Sequence, residues 1–367
     1  MKKILFYYPS NKRTISIESL IIGFKYQGYQ VILLTQSDES ELHEQLHKNE
    51  IETYTYVIKK NKAIIYYFRH FLYLIKFCKK NDINIVYSHL QQANIISVFA
   101  QFFCSSKFYI CRHHSSVSGS ERNFNQSLFD KVINKLAKLI IVPSKMVQKQ
   151  VCEVEGVNPN KVKLIYYGYD FEKYPKPNQN EVKKIRLQFS AKLLLVKVAR
   201  LVPGKRYNEL FNVLKKMVID ENKDVKLLVI SEGPLMAEFK TYIDSNHLIN
   251  HIFLLGNVEN VIDYLAAADV VPLLSEAEAS NSVIKEAGLV SKTVVVCRNV
   301  GDFEDYIEQQ INGYLIPKDN PERDLDEVLN LLYNENPRYI GDGLKKSVLN
   351  TFSIDAVISS YYNLNNF

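Results

Sequence analysis

Twice along this chain, short β-branched runs alternate with stretches of helical period, and the series breaks off once and begins again. Such alternation marks βαβ units, in which crossover helices join parallel strands. In the first half the expected strands are Lys3–Tyr7, Gln30–Thr35, Ile83–Ser88, Phe108–Arg112, Leu139–Val142 and Val162–Ile165. Helices are expected at Ile17–Gln27, Tyr66–Lys80 and Leu128–Leu136. In the second half the expected strands are Leu193–Ala199, Lys226–Ser231, Ile252–Leu255, Val270–Leu274, Thr293–Cys297 and Gly313–Ile316. Between the halves, Tyr174–Glu181 holds two prolines and no apolar period, so it reads as an interdomain linker. The fold class is therefore α/β: two doubly wound, Rossmann-like domains, residues 1–178 and 179–351, facing each other across a cleft. Residues 352–367 have a helical pattern and are expected to cross back to the first domain.

A length of 367 residues suits two domains of ordinary size. The five cysteines are odd in number and form no C-x-x-C, which argues against a disulfide framework and a zinc cluster and fits a reducing cytoplasm. A strand starting at Lys3 leaves no room for a leader peptide. The most apolar stretch, Ala63–Cys78, is interrupted by Arg69 and His70 and is too short to span a bilayer. The expected location is cytoplasmic, with contact at the inner face of the membrane left open. Residues 1–180 carry 25 basic against 14 acidic side chains, whereas residues 181–367 carry 21 against 26. Only the first half is thus built to meet something anionic, such as nucleic acid or a lipid surface.

The chemistry-bearing residues cluster at the expected strand ends of the second half. Ala199-Arg-Leu-Val-Pro-Gly-Lys205 follows a strand and would aim Arg200 and Lys205 into the cleft, where fixed cations can neutralise a diphosphate without a metal. A surface turn with solvated charges is the plainer reading of that segment alone. Ser231-Glu-Gly-Pro234 ends the next strand and puts Gly233 where a ligand could approach the backbone. Gly256-Asn257-Val258 ends the one after. The segment YLAAADVVPLLSEAEASNSVIKE runs from an apolar strand through acidic residues into a helix starting near Asn281 or Ser282. Glu278 then lies in the loop and Glu286 in the second helical turn, beside N–H groups free to hold a phosphate. A capping box does not account for Glu286, and Glu276 reads as an ordinary surface acid.

The series VARLVPGKR, VISEGP, GNV, YLAAADVVPLLSEAEASNSVIKEAG, VVVCRNVGDFEDYI and NGYLIP resembles the C-terminal domain of a GT-B glycosyltransferase of family 4, the retaining, nucleotide-sugar-dependent class. The first half resembles the family more loosely, through NIVYSHLQQANI, ICRHHSS, LIIVPS and KLIYYGYDFEKY. The resemblance implies that Arg200 and Lys205 bind the donor diphosphate. It makes Glu278 and Glu286 the acids of an E-x7-E motif, the first near the donor sugar and the second on the ribose. Backbone N–H groups of Asn281, Ser282 and Val283 would contact the sugar and distal phosphate, and Val258 would pack the base. One of His113 and His114 would reach the donor sugar from the other domain. It further implies no resident cofactor or metal, a UDP-sugar in preference to a GDP-sugar, and a lipid-linked or glycan acceptor. A sugar-nucleotide epimerase of the same architecture and a non-catalytic nucleotide-sugar binding subunit are the alternatives.

The chain departs from the family pattern in places. Ala199 stands for the usual glycine before the arginine, and Ser-Glu-Gly-Pro for Gly-Asp-Gly-Pro. The loop after the first strand, PSNKRTIS, lacks the glycine pair that often approaches the donor phosphate, so it is better suited to the acceptor.

Four further signals are weaker. His43-Glu-Gln-Leu-His47 has zincin spacing, but its helix is polar all round and shows no third ligand. Asp324-Leu-Asp326 is a D-x-D better explained by acids at a helix N-terminus, and His89 ends a strand and could face the cleft. Lys59–Lys80 interleaves cations with six aromatic rings, which suits either a Rossmann helix with a wet basic back or a helix lying on anionic lipid. No nucleic-acid-binding motif accompanies it. Abundant Lys, Asn, Ile and Tyr suggest an AT-rich bacterial genome, and with the resemblance a capsule or envelope polysaccharide pathway.

Overall fold

The structure, a computed structural model, describes residues 2–58, 63–112, 124–335 and 338–365. It divides into two compact units, Met1–Glu172 with Phe352–Phe367, and Lys173–Thr351. Each holds one parallel sheet with helices, as expected of the GT-B class.

The first unit contains strands β1 (Lys3–Tyr8), β2 (Gln30–Thr35), β3 (Glu52–Thr55), β4 (Ile85–His89), β5 (Lys107–Cys111), β6 (Ile140–Val142) and β7 (Val162–Leu164). Their order is β3-β2-β1-β4-β5-β6-β7, and every pairing is parallel. The central strands are buried on both faces, which is why they read as unbroken apolar runs rather than as alternation. Strand β3 escaped the sequence reading because ETYT is polar and half-exposed and occupies the sheet edge. It has no core face to announce it.

The terminal helix Ile354–Asn365 is part of this unit. Tyr169 donates to the Phe352 carbonyl at 2.9 Å and Ile354 donates back to the Tyr169 carbonyl at 3.0 Å. Its Tyr361 ring sits edge-on against Phe24 and Tyr87. Gly23 and Gly168 admit the helix, since a Cβ on either would lie within 3 Å of Ile354.

The second unit contains β8 (Leu193–Val198), β9 (Val225–Ile230), β10 (Ile252–Gly256), β11 (Val270–Leu273), β12 (Thr293–Cys297) and β13 (Tyr314–Ile316), ordered β10-β9-β8-β11-β12-β13. The chain winds outward from β8 to β10, then returns to the other side of β8 as β11. The topological switch point therefore lies between β8 and β11, and open α/β sheets bind ligands at the strand carboxyl ends there.

The segment read as a linker is more structured than expected. Its latter part opens the helix Gln179–Gln188, capped by the Asn178 side chain on Asn180 N at 3.0 Å. The Asn178 N–H donates to Asp263 at 2.7 Å, and Tyr174 is buried near Glu286. Prolines and asparagines read as a flexible linker because a capping asparagine and a helix start share that composition.

Candidate functional site

Three loops meet at the carboxyl ends of β8, β11 and β12. The first, residues 199–206, is fastened from beneath. Lys197, fully buried on β8, donates through Nζ to the main-chain carbonyl of Lys205 at 2.7 Å, with Arg206 O at 3.5 Å. Its ammonium lies 4.3 Å from the centroid of the Tyr207 ring, and the Tyr207 hydroxyl donates to the Ala199 carbonyl. Both ends of the loop are thus tied to one buried pair. Burial lowers the Lys197 ammonium to about 7, against a weaker upward pull from Cys297 and Glu209. Arg206 takes the left-handed conformation, φ 50°, that turns the chain from this loop into the helix Tyr207–Lys215.

The second loop, residues 274–281, zips against the first. Glu276 N donates to Gly204 O at 3.0 Å, and its carboxylate lies 3.3 Å from Arg206 Nε. The Lys205 ammonium donates to the Glu278 carboxylate. Glu276 is therefore a loop fastener as well as a surface acid. Arg200, two residues past the end of β8, is solvent-exposed. The sequence brings Arg200 and Lys205 to this loop, and the fold brings Lys205 to Glu278.

The helix Ser282–Leu289 follows, with Asn281 as its N-cap accepting from Ile284 N at 3.2 Å. That cap satisfies the third helical N–H and leaves those of Ser282 and Val283 at the helix mouth, where the dipole favours an anion. Glu286 stands half-buried in the second turn. Burial raises its carboxyl above the usual range, while the Ser282 hydroxyl and Lys285 pull it back. Such a group gains most from a polar ligand that replaces lost water.

The third loop, residues 298–303, supports the second, and sequence reading gave it no role. Gly301 has φ 59°, and a Cβ there would fall 2.9 Å from the Glu278 Cβ. Only glycine meets both demands. Asp302 is fully buried and accepts from Lys285 Nζ at 2.6 Å and Ser280 Oγ at 2.5 Å. Lys285, equally buried, also donates to Ser280 Oγ at 2.9 Å and Asn281 O at 3.1 Å. Burial draws its ammonium downward while Asp302 opposes the shift. The available signal was a lysine inside the apolar stripe of a short helix, since a buried lysine needs a charged partner.

The remaining expectations fare differently. Gly233 is required by packing, because a Cβ there would lie 2.4 Å from the Leu201 carbonyl oxygen. Val258 is half-buried in the loop after β10. His113 and His114 lie outside the described residues. His43 lies 3.1 Å from Thr35 Oγ1 and accepts from Ser40 N at 3.1 Å, and His47 lies 2.7 Å from Thr53 Oγ1. No group of three metal-ligating side chains occurs among the described residues. Asp324 sits in the first turn of the helix Glu322–Asn334, and Asp326 pairs with Lys216 at 2.6 Å. His89 is buried and stacks on Phe6.

Residues 14–173 match the family model Glycosyltransferase Family 4, and residues 178–342 match Glycosyl transferases group 1. The chain belongs to the family 4-like GT-B glycosyltransferases. Among curated relatives of this glycosyltransferase family, N-acetyl-alpha-D-glucosaminyl L-malate synthase of Bacillus anthracis is 27% identical over 209 residues, 56% of this chain and 54% of that protein. The N-acetylgalactosamine-N,N'-diacetylbacillosaminyl-diphospho-undecaprenol 4-alpha-N-acetylgalactosaminyltransferase of Campylobacter jejuni is 25% identical over 251 residues, 67% of this chain and 66% of that protein. The chain thus spans between half and two thirds of the length of these two relatives. The Anabaena Alr3699/HepE structure in complex with UDP has a TM-score of 0.83 at 19% identity and covers all of both chains. That likeness is one of fold.

Proposed function

We propose that this glycosyltransferase-family chain moves a hexosyl or N-acetylhexosaminyl group, with retention, from a nucleotide diphosphate sugar to a lipid-linked or surface polysaccharide acceptor. The observation that carries the reading is the meeting of Lys205 and Glu278 at the β8/β11 switch point, beside the helix mouth at Asn281–Val283. A cation and a carboxylate already in contact are suited to part around a ligand. The ammonium turns to the diphosphate and the carboxylate to a sugar hydroxyl.

In this mechanism Arg200 and Lys205 offset the charge that builds on the departing diphosphate, without a resident metal. The acceptor hydroxyl attacks the anomeric carbon from the face the diphosphate leaves. The new glycosidic bond forms as the sugar–phosphate bond breaks, and the acceptor proton passes to the leaving phosphate oxygen. Glu278 orients the donor sugar, Glu286 receives the ribose hydroxyls, and Val258 packs the base. Asn281, Ser282 and Val283 offer backbone N–H groups to the distal phosphate and sugar. A UDP-sugar is the favoured donor, consistent with the UDP held by the Anabaena protein. A lipid-linked acceptor is consistent with the undecaprenol-linked name of the Campylobacter relative. The acceptor would be met at the inner face of the cytoplasmic membrane, in a capsule or envelope polysaccharide pathway.

Thermal-shift screening against UDP, GDP, ADP and dTDP tests the donor. A selective upward shift with UDP is the expected result, and none with any of them removes the reading. Proton magnetic resonance of the product then reports the anomeric configuration. Inversion would sink the retaining assignment, and a rearranged sugar still joined to its nucleotide would identify an epimerase.

A further inference from the structure

The first unit carries an open apolar groove between the helices Ala63–Lys80, Leu90–Ala100 and Phe124–Leu136. It encloses about 650 Å³ and is lined by Ile64, Tyr67, Phe68, Phe71, Phe99 and Phe103 among other apolar side chains. Several of these face solvent: Ile64 is 84% exposed, and Phe68 and Phe103 are each 58% exposed. The first of these helices has already satisfied its own core through Leu74, Phe77 and Cys78. A helix packed on a sheet ordinarily shows water a polar back. This one shows a second apolar stripe, and contiguous apolar surface of this kind marks an interaction site.

The charges around it are of one sign. Residues 63–80 carry Arg69, Lys76, Lys79 and Lys80 and no acid; residues 90–107 carry only Lys107. Residues 127–138 carry exposed Lys131, Lys135 and Lys138, and their single acid, Asp130, is buried and accepts from Gln91 at 2.9 Å. Lys76 lies one helical turn beyond exposed Leu72, and Lys131 one turn beyond exposed Leu128, so cations border the apolar stripe. Lys138 sits 5.7 Å from the centroid of the exposed Phe102 ring, an amphipathic arrangement suited to an interface.

We propose that this groove and its cationic border form a docking surface for an anionic lipid bilayer. The proposal rests on the reading of the acceptor as membrane-held and names the face that meets the membrane. A second copy of the chain would bring the same cations against one another. A single hydrocarbon chain would fill the groove but leave the cations without a partner. Anionic lipid satisfies both, with Phe68 and Phe103 entering the acyl boundary and the lysines staying at the phosphates. No described helix is long and apolar enough to cross a membrane, so the contact is one of lying on the surface.

The test is flotation of the full chain with phosphatidylglycerol vesicles and with phosphatidylcholine vesicles. Binding to the first only, weakened by high salt, is expected. Lys76→Gln with Lys79→Gln should weaken it on the order of tenfold or more. Phe68→Ser with Leu72→Ser should abolish it without lowering the thermal midpoint, since both side chains are exposed. Equal flotation with both vesicle types, or indifference to both double variants, overturns the proposal. So does a concentration-dependent dimer lost in the Phe68 variant without flotation, or binding of single lipids without vesicles. A UDP titration run alongside separates the two readings. Normal UDP affinity without flotation sinks only the docking surface, and flotation without UDP affinity sinks only the donor site.

Discussion

The buried ammonium of Lys197 holds the main-chain carbonyl of Lys205, so the cation assigned to the diphosphate stands on a second, hidden lysine. The same Lys205 ends on Glu278, which in turn rests against Gly301. The site is a stack of loops, each fixed by the next. Its behaviour follows from that order.

Lys205→Ala and Arg200→Ala should each cost at least ~2 kcal/mol of transition-state stabilisation, the scale of a lost oxyanion donor. The measurement is kcat/KM with the UDP-sugar found by screening. Near-normal turnover in both variants would refute their role.

Lys197 ties the donor loop to pH. Its ammonium is lowered from the ordinary lysine value to about 7. Between that pH and the unfolded lysine value, the unfolded chain binds the extra proton, so stability should rise with pH across this window. Relative to Lys197→Met, the native protein should gain urea resistance from pH 7 to pH 10 and show no such trend below pH 6. UDP affinity should fall over the same rise, because a neutral amine holds the Lys205 carbonyl less firmly than an ammonium. Parallel pH profiles for native and variant proteins would exclude the role.

Glu286→Ala should weaken nucleotide binding without unfolding the second unit. Because burial raises this carboxyl, its ionised form works against folding. The associated stability is full below the unfolded carboxylate value and is lost as pH rises through the raised one. The variant should therefore be at least as stable as the native chain at pH 7, a gain that disappears near pH 4. Unchanged affinity in a calorimetric titration removes the ribose assignment.

Breaking the Lys285–Asp302 pair on one side should be costly. Lys285→Met leaves Asp302, fully buried, without its cation, at ~3–5 kcal/mol. Adding Asp302→Ala should recover most of that loss, as measured by urea unfolding of the second unit. If the double variant is no more stable than Lys285→Met, the charge account is wrong.

Much of the fold was legible along the chain. Buried parallel strands such as Gln30–Thr35 and Thr293–Cys297 are short apolar runs rich in β-branched residues, and their limits agree with the structure residue for residue. Strand β3 was not legible, because an exposed edge of alternating polar residues has no apolar run to find. The start of the helix after β11 was legible to within one residue, Asn281 or Ser282, since capping is a local choice among a few side chains, and the structure selects Asn281.

The sequence by itself determined where the buried elements form, where the carboxylates and cations fall relative to strand ends, and the composition that leaves one half basic. Those properties depend on near neighbours and on side-chain type. Only the tertiary structure decided that Lys205 meets Glu278, 73 residues away, that Lys197 lies under the loop, and that Asp302 answers Lys285. The first and last of those contacts exist because the sheet runs β8-β11-β12 side by side, and the second because the loop folds back over its own strand. Strand order is set by how the helices cover the two faces, a collective packing outcome that no local stretch of chain encodes.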